Sequence, residues 1–248
     1  MVGPAVMSNE QALLEFWRTG YRCIEGWMGE GLFPLLGACA RLQESLGARG
    51  GAVEIGIHHG QFFLALNQLC AADERSMAID VFDRQDLNVD HSGEGSLERF
   101  TGNLKKYCRH GGSNVQINVV DSTTLRPRDI LGKLGIKPRF FSVDGGHTVR
   151  HVMNDLALAD ACIGDFGVVL VDDILNPQWL GVIEGVCRYM TRLRLPFRGS
   201  PNLAPFAINS NKLLLCRPRA YQLFVDAFRQ SLDPPGSVQF FGKPVFVW

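Results

Sequence analysis

The sequence has no excess of either charge. Its 248 residues carry 25 Lys and Arg against 25 Asp and Glu, a formal net charge of zero. Nucleic-acid binders usually show a basic surplus, so the balance argues against that class of partner. It equally gives no support for a polybasic membrane anchor. Long apolar runs are missing too, and none approaches the ~20 residues a bilayer-spanning helix needs. The N-terminus lacks a basic segment followed by an apolar core, so no signal peptide is expected and the expected location is cytoplasmic. The seven cysteines are odd in number and no two stand three apart. That spacing excludes a zinc knuckle and disfavours a secreted disulfide framework. Cys23, Cys39, Cys70, Cys108, Cys162, Cys187 and Cys216 read instead as thiols in a reducing compartment, most of them in apolar stretches. Internal repeats, low-complexity tracts and a clear interdomain linker are also lacking.

What is present is an ordinary globular composition with 46% apolar residues. A chain of this length should bury roughly 70–75% of its unfolded surface and needs no disulfide or metal to hold a core. Residues 8–28 and 32–47 read as helices, the first opening at Ser8 and carrying Leu13, Leu14, Trp17 and Tyr21 at helical spacing. From residue 52 onward strands and helices alternate. Strands are expected at 52–56, 76–82, 115–121, 139–144 and 166–173, with helices at 61–72, 96–109, 128–134, 149–163 and 178–194 between and after them. Residues 84–95 read as a long polar loop, 206–209 and 212–216 as a hairpin, 219–231 as a helix and 244–248 as a closing strand. Apolar strands alternating with helices predict an α/β fold, a doubly wound, mostly parallel sheet covered on both faces. Ligands of such folds bind beyond the carboxyl ends of the strands.

Those strand ends carry the chemistry. In EIGIHHG, Glu54 to Gly60, Gly56 closes a strand and lets backbone approach a ligand, while Gly60 opens the next helix. Glu54, two residues before the first glycine, can accept a hydrogen bond from a cationic amine near the loop. A dinucleotide fingerprint would have glycine at residue 58, which is His58. Asp80 ends the second strand, where a carboxylate suits the two hydroxyls of a ribose. Asp121 with Ser122 ends the third, where an adenine amine could bind or where a helix could simply be capped. Asp144-Gly-Gly-His147 ends the fourth, and Asp172-Asp173 ends the fifth, 28 residues after Asp144. Parallel pairing brings these ends together, and crowded carboxylates repel unless a cation sits between them. A hard divalent ion with oxygen ligands, such as Mg²⁺, answers that need. His147, with an ordinary pKa near ~6.5, is placed to take a proton from a hydroxyl held there.

With these residues in place the chain resembles the class I S-adenosylmethionine-dependent methyltransferases. More narrowly it resembles the metal-dependent small-molecule O-methyltransferases, including the macrocin and mycinamicin sugar types and the catechol type. The resemblance covers about residues 50–216, and the loop QDLNVDHSGEG (85–95) is similar to a segment of bacterial members. It implies a Rossmann-like sheet of seven strands with an antiparallel C-terminal hairpin and N-terminal helices. It implies that Gly56, Ile57 and Gly60 line the methionine part of the cofactor, supported by Glu54. Asp80 would then bind ribose, Asp121 and Ser122 adenine, and Asp144 would adjoin the cofactor. Asp144, Asp172 and Asp173 would hold Mg²⁺. His147 stands where the sugar enzymes have a basic histidine and the catechol type a lysine, and Asp173 stands where the catechol type has asparagine. Both differences favour a sugar-like or other aliphatic hydroxyl as the acceptor. The expected division is a helical cap at 1–48 and a cofactor-binding catalytic domain at 49–248. Expected partners are a small-molecule acceptor, with no nucleic acid and no membrane; whether the chain forms a homo-oligomer is left open. Two other readings stand beside this one: a nicotinamide-dependent oxidoreductase, and a catalytically silent protein that binds S-adenosylmethionine.

Overall fold

The computed structural model describes residues 7–191, 201–234 and 236–248. The helices are α1 (Asn9–Thr19), α2 (Leu32–Ser45), α3 (Gln61–Gln68), α4 (Leu97–Tyr107), α5 (Pro127–Leu134), α6 (Val149–Cys162), α7 (Leu180–Thr191) and α8 (Tyr221–Leu232). The strands are β1 (Ala52–Ile55), β2 (Ser76–Asp80), β3 (Val115–Val119), β4 (Phe140–Val143), β5 (Val168–Val171), β6 (Ala204–Asn209), β7 (Lys212–Cys216), β8 (Ser237–Phe240) and β9 (Lys243–Val247). They form one sheet in the order β3-β2-β1-β4-β5-β7-β6-β9-β8. β1 to β5 pair in parallel, whereas β7 runs antiparallel between β5 and β6. The α/β, doubly wound architecture is thus the one expected.

Alternation along buried strands builds two cores. Val168 and Leu170 of β5 join one cluster, with Leu36, Phe63 and Phe224 from α2, α3 and α8. Val169 and Val171 join the other, with Ile130, Leu156 and Val186 from α5, α6 and α7. A period of two in a strand buried on both faces gives this division directly. Each Leu or Phe so buried contributes about 1.5–3 kcal/mol against leaving it in water. The N-terminal helices belong to the first cluster through Leu13, Phe16 and Leu35.

Three expectations change. The helix expected over 8–28 ends at Thr19, after a capping box in which Ser8 and Gln11 satisfy one another's backbone N–H groups. Gly20 is its C-cap, donating its N–H to the Phe16 carbonyl, and a Cβ there would stand 2.7 Å from the Phe16 ring and 2.9 Å from Tyr107. The chain then makes a short 3₁₀ turn at Tyr21–Cys23 and leaves it extended at Ile24. Among the described residues the sheet has nine strands rather than seven. β8 was invisible because its exposed Ser-Val-Gln has no apolar periodicity; a turn with positive φ at Phe241 (48°) and Gly242 (71°) folds it back on β9. β9 in turn pairs in parallel with β6. Finally, the helix expected at 178–194 spans Leu180–Thr191, and residues 192–194 lie outside the described residues.

Candidate active site

β1 to β5 present their carboxyl ends along one edge, and the loops leaving them enclose a cavity of about 540 Å³. That volume is in the range of small-molecule and cofactor sites. Glu54, Gly56, Ile57, Asp80, Asp121, Ser122, Asp144, His147, Asp172 and Asp173 all line it. Gly60 does not. It sits at the start of α3 with φ 88°, where a Cβ would stand 2.6 Å from the Phe100 ring.

Gly56 is required by geometry. Its φ is 85°, and a Cβ would stand 1.8 Å from the Asp144 carbonyl oxygen, so only glycine lets the ends of β1 and β4 approach this closely. Asp80 fixes the loop that follows. Its Oδ2 accepts from the N–H groups of Ile57 (2.5 Å) and His58 (2.9 Å), and its Oδ1 accepts from Phe82 N–H (2.6 Å). His58 is held at φ 52°, a conformation costly for a non-glycine residue and commonest at functional sites. Asp121 Oδ1 accepts from Thr123 N–H at 2.8 Å, capping a short 3₁₀ turn beside the buried Ser122.

Glu54 lies beneath the glycine loop, 1% exposed; neither carboxylate oxygen makes a well-formed hydrogen bond, with the Ser142 hydroxyl and the Lys212 ammonium the groups that act on it. Burial pushes its pKa up to about 8. A buried carboxyl so placed at the head of β1 fits the amine of an amino-acid-like cofactor.

The acids of β4 and β5 have partners that the sequence did not announce. Lys212, only 2% exposed, places Nζ 2.6 Å from Asp172 Oδ2 and 3.7 Å from Asp144 Oδ2. The same ammonium lies 4.0 Å from the centroid of the Phe62 ring. Burial would lower the lysine's pKa, but Asp172, Asp144 and Glu54 outweigh it and raise it. Burial, and then Asp172, hold the Asp144 carboxyl well above its ordinary range. The antiparallel register explains the contact. Val171 pairs with Leu213, so the next residues outward are Asp172 and Lys212.

His147 is clasped from two sides. Its Nδ1 lies 3.0 Å from Asp90 Oδ2 and its Nε2 lies 3.0 Å from Asp173 Oδ2. Its backbone N–H also donates to Asp90. Trp179 stacks on the imidazole at 4.5 Å and 16°. Burial would lower the histidine's pKa, but the two carboxylates raise it to about 9. Asp90 and Asp173, although burial acts against them, are correspondingly held below the usual carboxylate range by their hydrogen bonds to this ring. Asp173 has φ 58° and also accepts from Asn176 Nδ2 at 2.8 Å.

The resemblance implies a divalent ion at this donor set. Donor atoms of Asp144, His147 and Asp173 lie within 4.8 Å of one another, a spacing that fits one cation. Asp172 does not join them, because its Oδ2 faces Lys212. Three lining or contacting residues, Lys212, Asp90 and Trp179, were not singled out from the sequence. Lys212 carried a signal, a charged residue opening the otherwise apolar KLLLC strand. Asp90 lay within the expected loop but had no pattern to tie it to His147.

An open parallel sheet with a glycine turn after its first strand, acids at the following ends and an antiparallel β7 defines the class: a Rossmann-like methyltransferase fold. Residues 53–174 match the family described as "Methyltransferase domain". The matched stretch, just under half of the chain, thus resembles a methyltransferase domain. Solved structures share the fold. The O-methyltransferase NovP is 14% identical, with a TM-score of 0.58, over 75% of this chain and 78% of that one. An O-methyltransferase from Bacillus cereus in complex with SAH is 12% identical, with a TM-score of 0.53, over 87% and 92% of the two chains. The SAH-bound methyltransferase PaMTH1 of Podospora anserina is 13% identical, with a TM-score of 0.53, over 83% and 87%. None of the curated proteins searched matches the sequence.

Proposed function

We propose that the protein transfers a methyl group from S-adenosylmethionine to a hydroxyl of a small molecule, a sugar or a glycosylated natural product. The observation that carries this reading is the convergence of five strand-end loops on one cavity, above the buried Glu54 carboxyl. When bound, S-adenosylmethionine supplies an electrophilic methyl group on a sulfonium centre. Glu54 would meet its amine, and Gly56 and Ile57 would let the backbone approach its methionine part. Asp80 fixes the glycine loop with three accepted N–H bonds, two on Oδ2 and one on Oδ1, which leaves one acceptor site, on Oδ1, for a ribose hydroxyl. Asp121 and Ser122 would adjoin the adenine.

His147 is the proposed acceptor of the hydroxyl proton. Paired with both Asp90 and Asp173 it already carries a proton on each ring nitrogen near neutral pH, so one of those protons must first pass to solvent before the ring can accept the hydroxyl proton. Asp90 brings the 84–95 loop against this histidine, which fits a role for that loop in closing the site and excluding water. If Mg²⁺ binds, Asp144 and Asp173 beside His147 would hold it, and it would supply charge stabilisation at the acceptor oxygen. Trp179, Trp27 and the exposed mouth of the cavity offer the flat apolar surface against which a sugar ring packs.

The same proposal takes residues 49–248 as the catalytic unit and 1–48 as the cap that selects the acceptor. It includes a cytoplasmic location and no nucleic-acid or membrane partner; among the described residues no helix is long and apolar enough to cross a membrane. Transfer of label from methyl-labelled S-adenosylmethionine to hydroxylated glycosides tests it, with phenols as the comparison. Faster labelling of catechols than of every glycoside would defeat the sugar assignment.

A further inference from the structure

Lys212 is a buried ammonium aimed into a cluster of acids. We infer that it is a permanent internal cation that takes Asp172 out of any metal set, so that no divalent ion bridges Asp144 and Asp172. The inference rests on the proposed cation site at Asp144, His147 and Asp173 only for where a metal would go instead.

Three features support it. Lys212 Nζ is 2.6 Å from Asp172 Oδ2 and 3.7 Å from Asp144 Oδ2, which puts its positive charge in the space a bridging ion would need. The position is not an accident of a flexible side chain. Lys212 is 2% exposed, its ammonium lies against Phe62 at 4.0 Å, and the strand register sets it beside Asp172. Asp173 turns its Oδ2 to His147 and Asp172 turns its Oδ2 to Lys212; Asp172 also lies against Asp144, but among the described residues it is Asp173 that stands with Asp144 and His147 within the span of one ion. The adjacent pair Asp172-Asp173 therefore divides into two duties. Asp172 is a positioning residue that anchors Lys212, and Asp173 faces the reacting edge.

A buried charge pair is costly to break from one side, because the survivor is left without compensation. Lys212 therefore cannot be displaced cheaply by an incoming ion. It also leaves any such ion with fewer carboxylates than the sequence offers, which predicts weak binding of divalent ions to the wild-type protein.

The test is Mn²⁺ binding to the full chain, followed by calorimetry and by the paramagnetic signal of the free ion, with wild type, Asp172→Asn, Asp173→Asn and Lys212→Met. Asp172→Asn should leave the Mn²⁺ affinity within about threefold of wild type, whereas Asp173→Asn should weaken it by about tenfold or more, the loss typical of groups that set a metal site. Lys212→Met should tighten it about tenfold by freeing Asp172. If that variant fails to fold, the two asparagine variants still decide, since both keep the lysine. No detectable Mn²⁺ binding by wild type, with binding gained in Lys212→Met, would support the inference while removing the cation site proposed above. A loss in Asp172→Asn as large as that in Asp173→Asn would overturn it, because Asp172 would then be a ligand and the ammonium would have to move.

Discussion

Asp155 offers a quantitative test of how the site is built. It lies on α6 beneath the loop that carries Asp144 and His147, 1% exposed. Its Oδ1 accepts from Asn154 Nδ2 at 3.0 Å, and its Oδ2 has no partner. A Cβ on Gly145 would stand 3.2 Å from that Oδ2, so the carboxyl supports the loop directly. Burial pushes its pKa up to about 7. Against an ordinary value near ~3.9, that difference corresponds to about 4 kcal/mol. The folded state binds the proton more tightly than the unfolded one. This contribution to stability is therefore fully present below about pH 4 and is lost as pH rises through about 7. Asp155→Asn removes the titration, at a cost of about 1–3 kcal/mol for the unpaired amide that replaces Oδ2. Urea unfolding of both proteins between pH 5 and pH 8.5 measures the outcome. Wild type minus variant should fall by about 3 kcal/mol across that range, with the variant the more stable at the alkaline end. A difference that does not change with pH would refute the reasoning.

Two further perturbations follow from the glycine loop. Gly56→Ala combines a left-handed backbone with a Cβ 1.8 Å from a carbonyl oxygen; it should cost about 2 kcal/mol or more in urea unfolding and abolish S-adenosylhomocysteine binding by calorimetry. Asp80→Asn keeps one acceptor oxygen where two now serve three N–H groups, so urea unfolding should show a loss of about 1.5–3 kcal/mol for each charged hydrogen bond removed, and cofactor affinity should fall about tenfold or more.

Much of this was legible in the chain because parallel strands buried on both faces write continuous apolar runs, and each ended in a residue with chemistry. Val168 to Val171 followed by Asp172 and Asp173 is the clearest case. That pattern placed the strand ends, and the structure brings nearly all the named residues around one cavity. What the pattern did not contain was pairing across distant segments. Lys212 meets Asp172 only through the antiparallel register of β7 with β5, and Asp90 meets His147 only through the path of an irregular loop. The crowded carboxylates point to positive charge among them, and Lys212 and His147 lie in contact with those acids as well. β8 escaped because an exposed edge strand has no core face to print a period on the sequence. The first helix stops at Thr19 with Gly20 as its C-cap, a break that the helical spacing of Leu13, Leu14, Trp17 and Tyr21 runs straight across.

The central claim is that the cavity over Glu54 and Gly56 is an S-adenosylmethionine site. Calorimetry of the wild-type chain with S-adenosylhomocysteine, and separately with NADH, tests it most directly. The account predicts saturable one-to-one binding of S-adenosylhomocysteine, lost in Gly56→Ala, and no binding of NADH. Saturable binding of NADH with none of S-adenosylhomocysteine would contradict it.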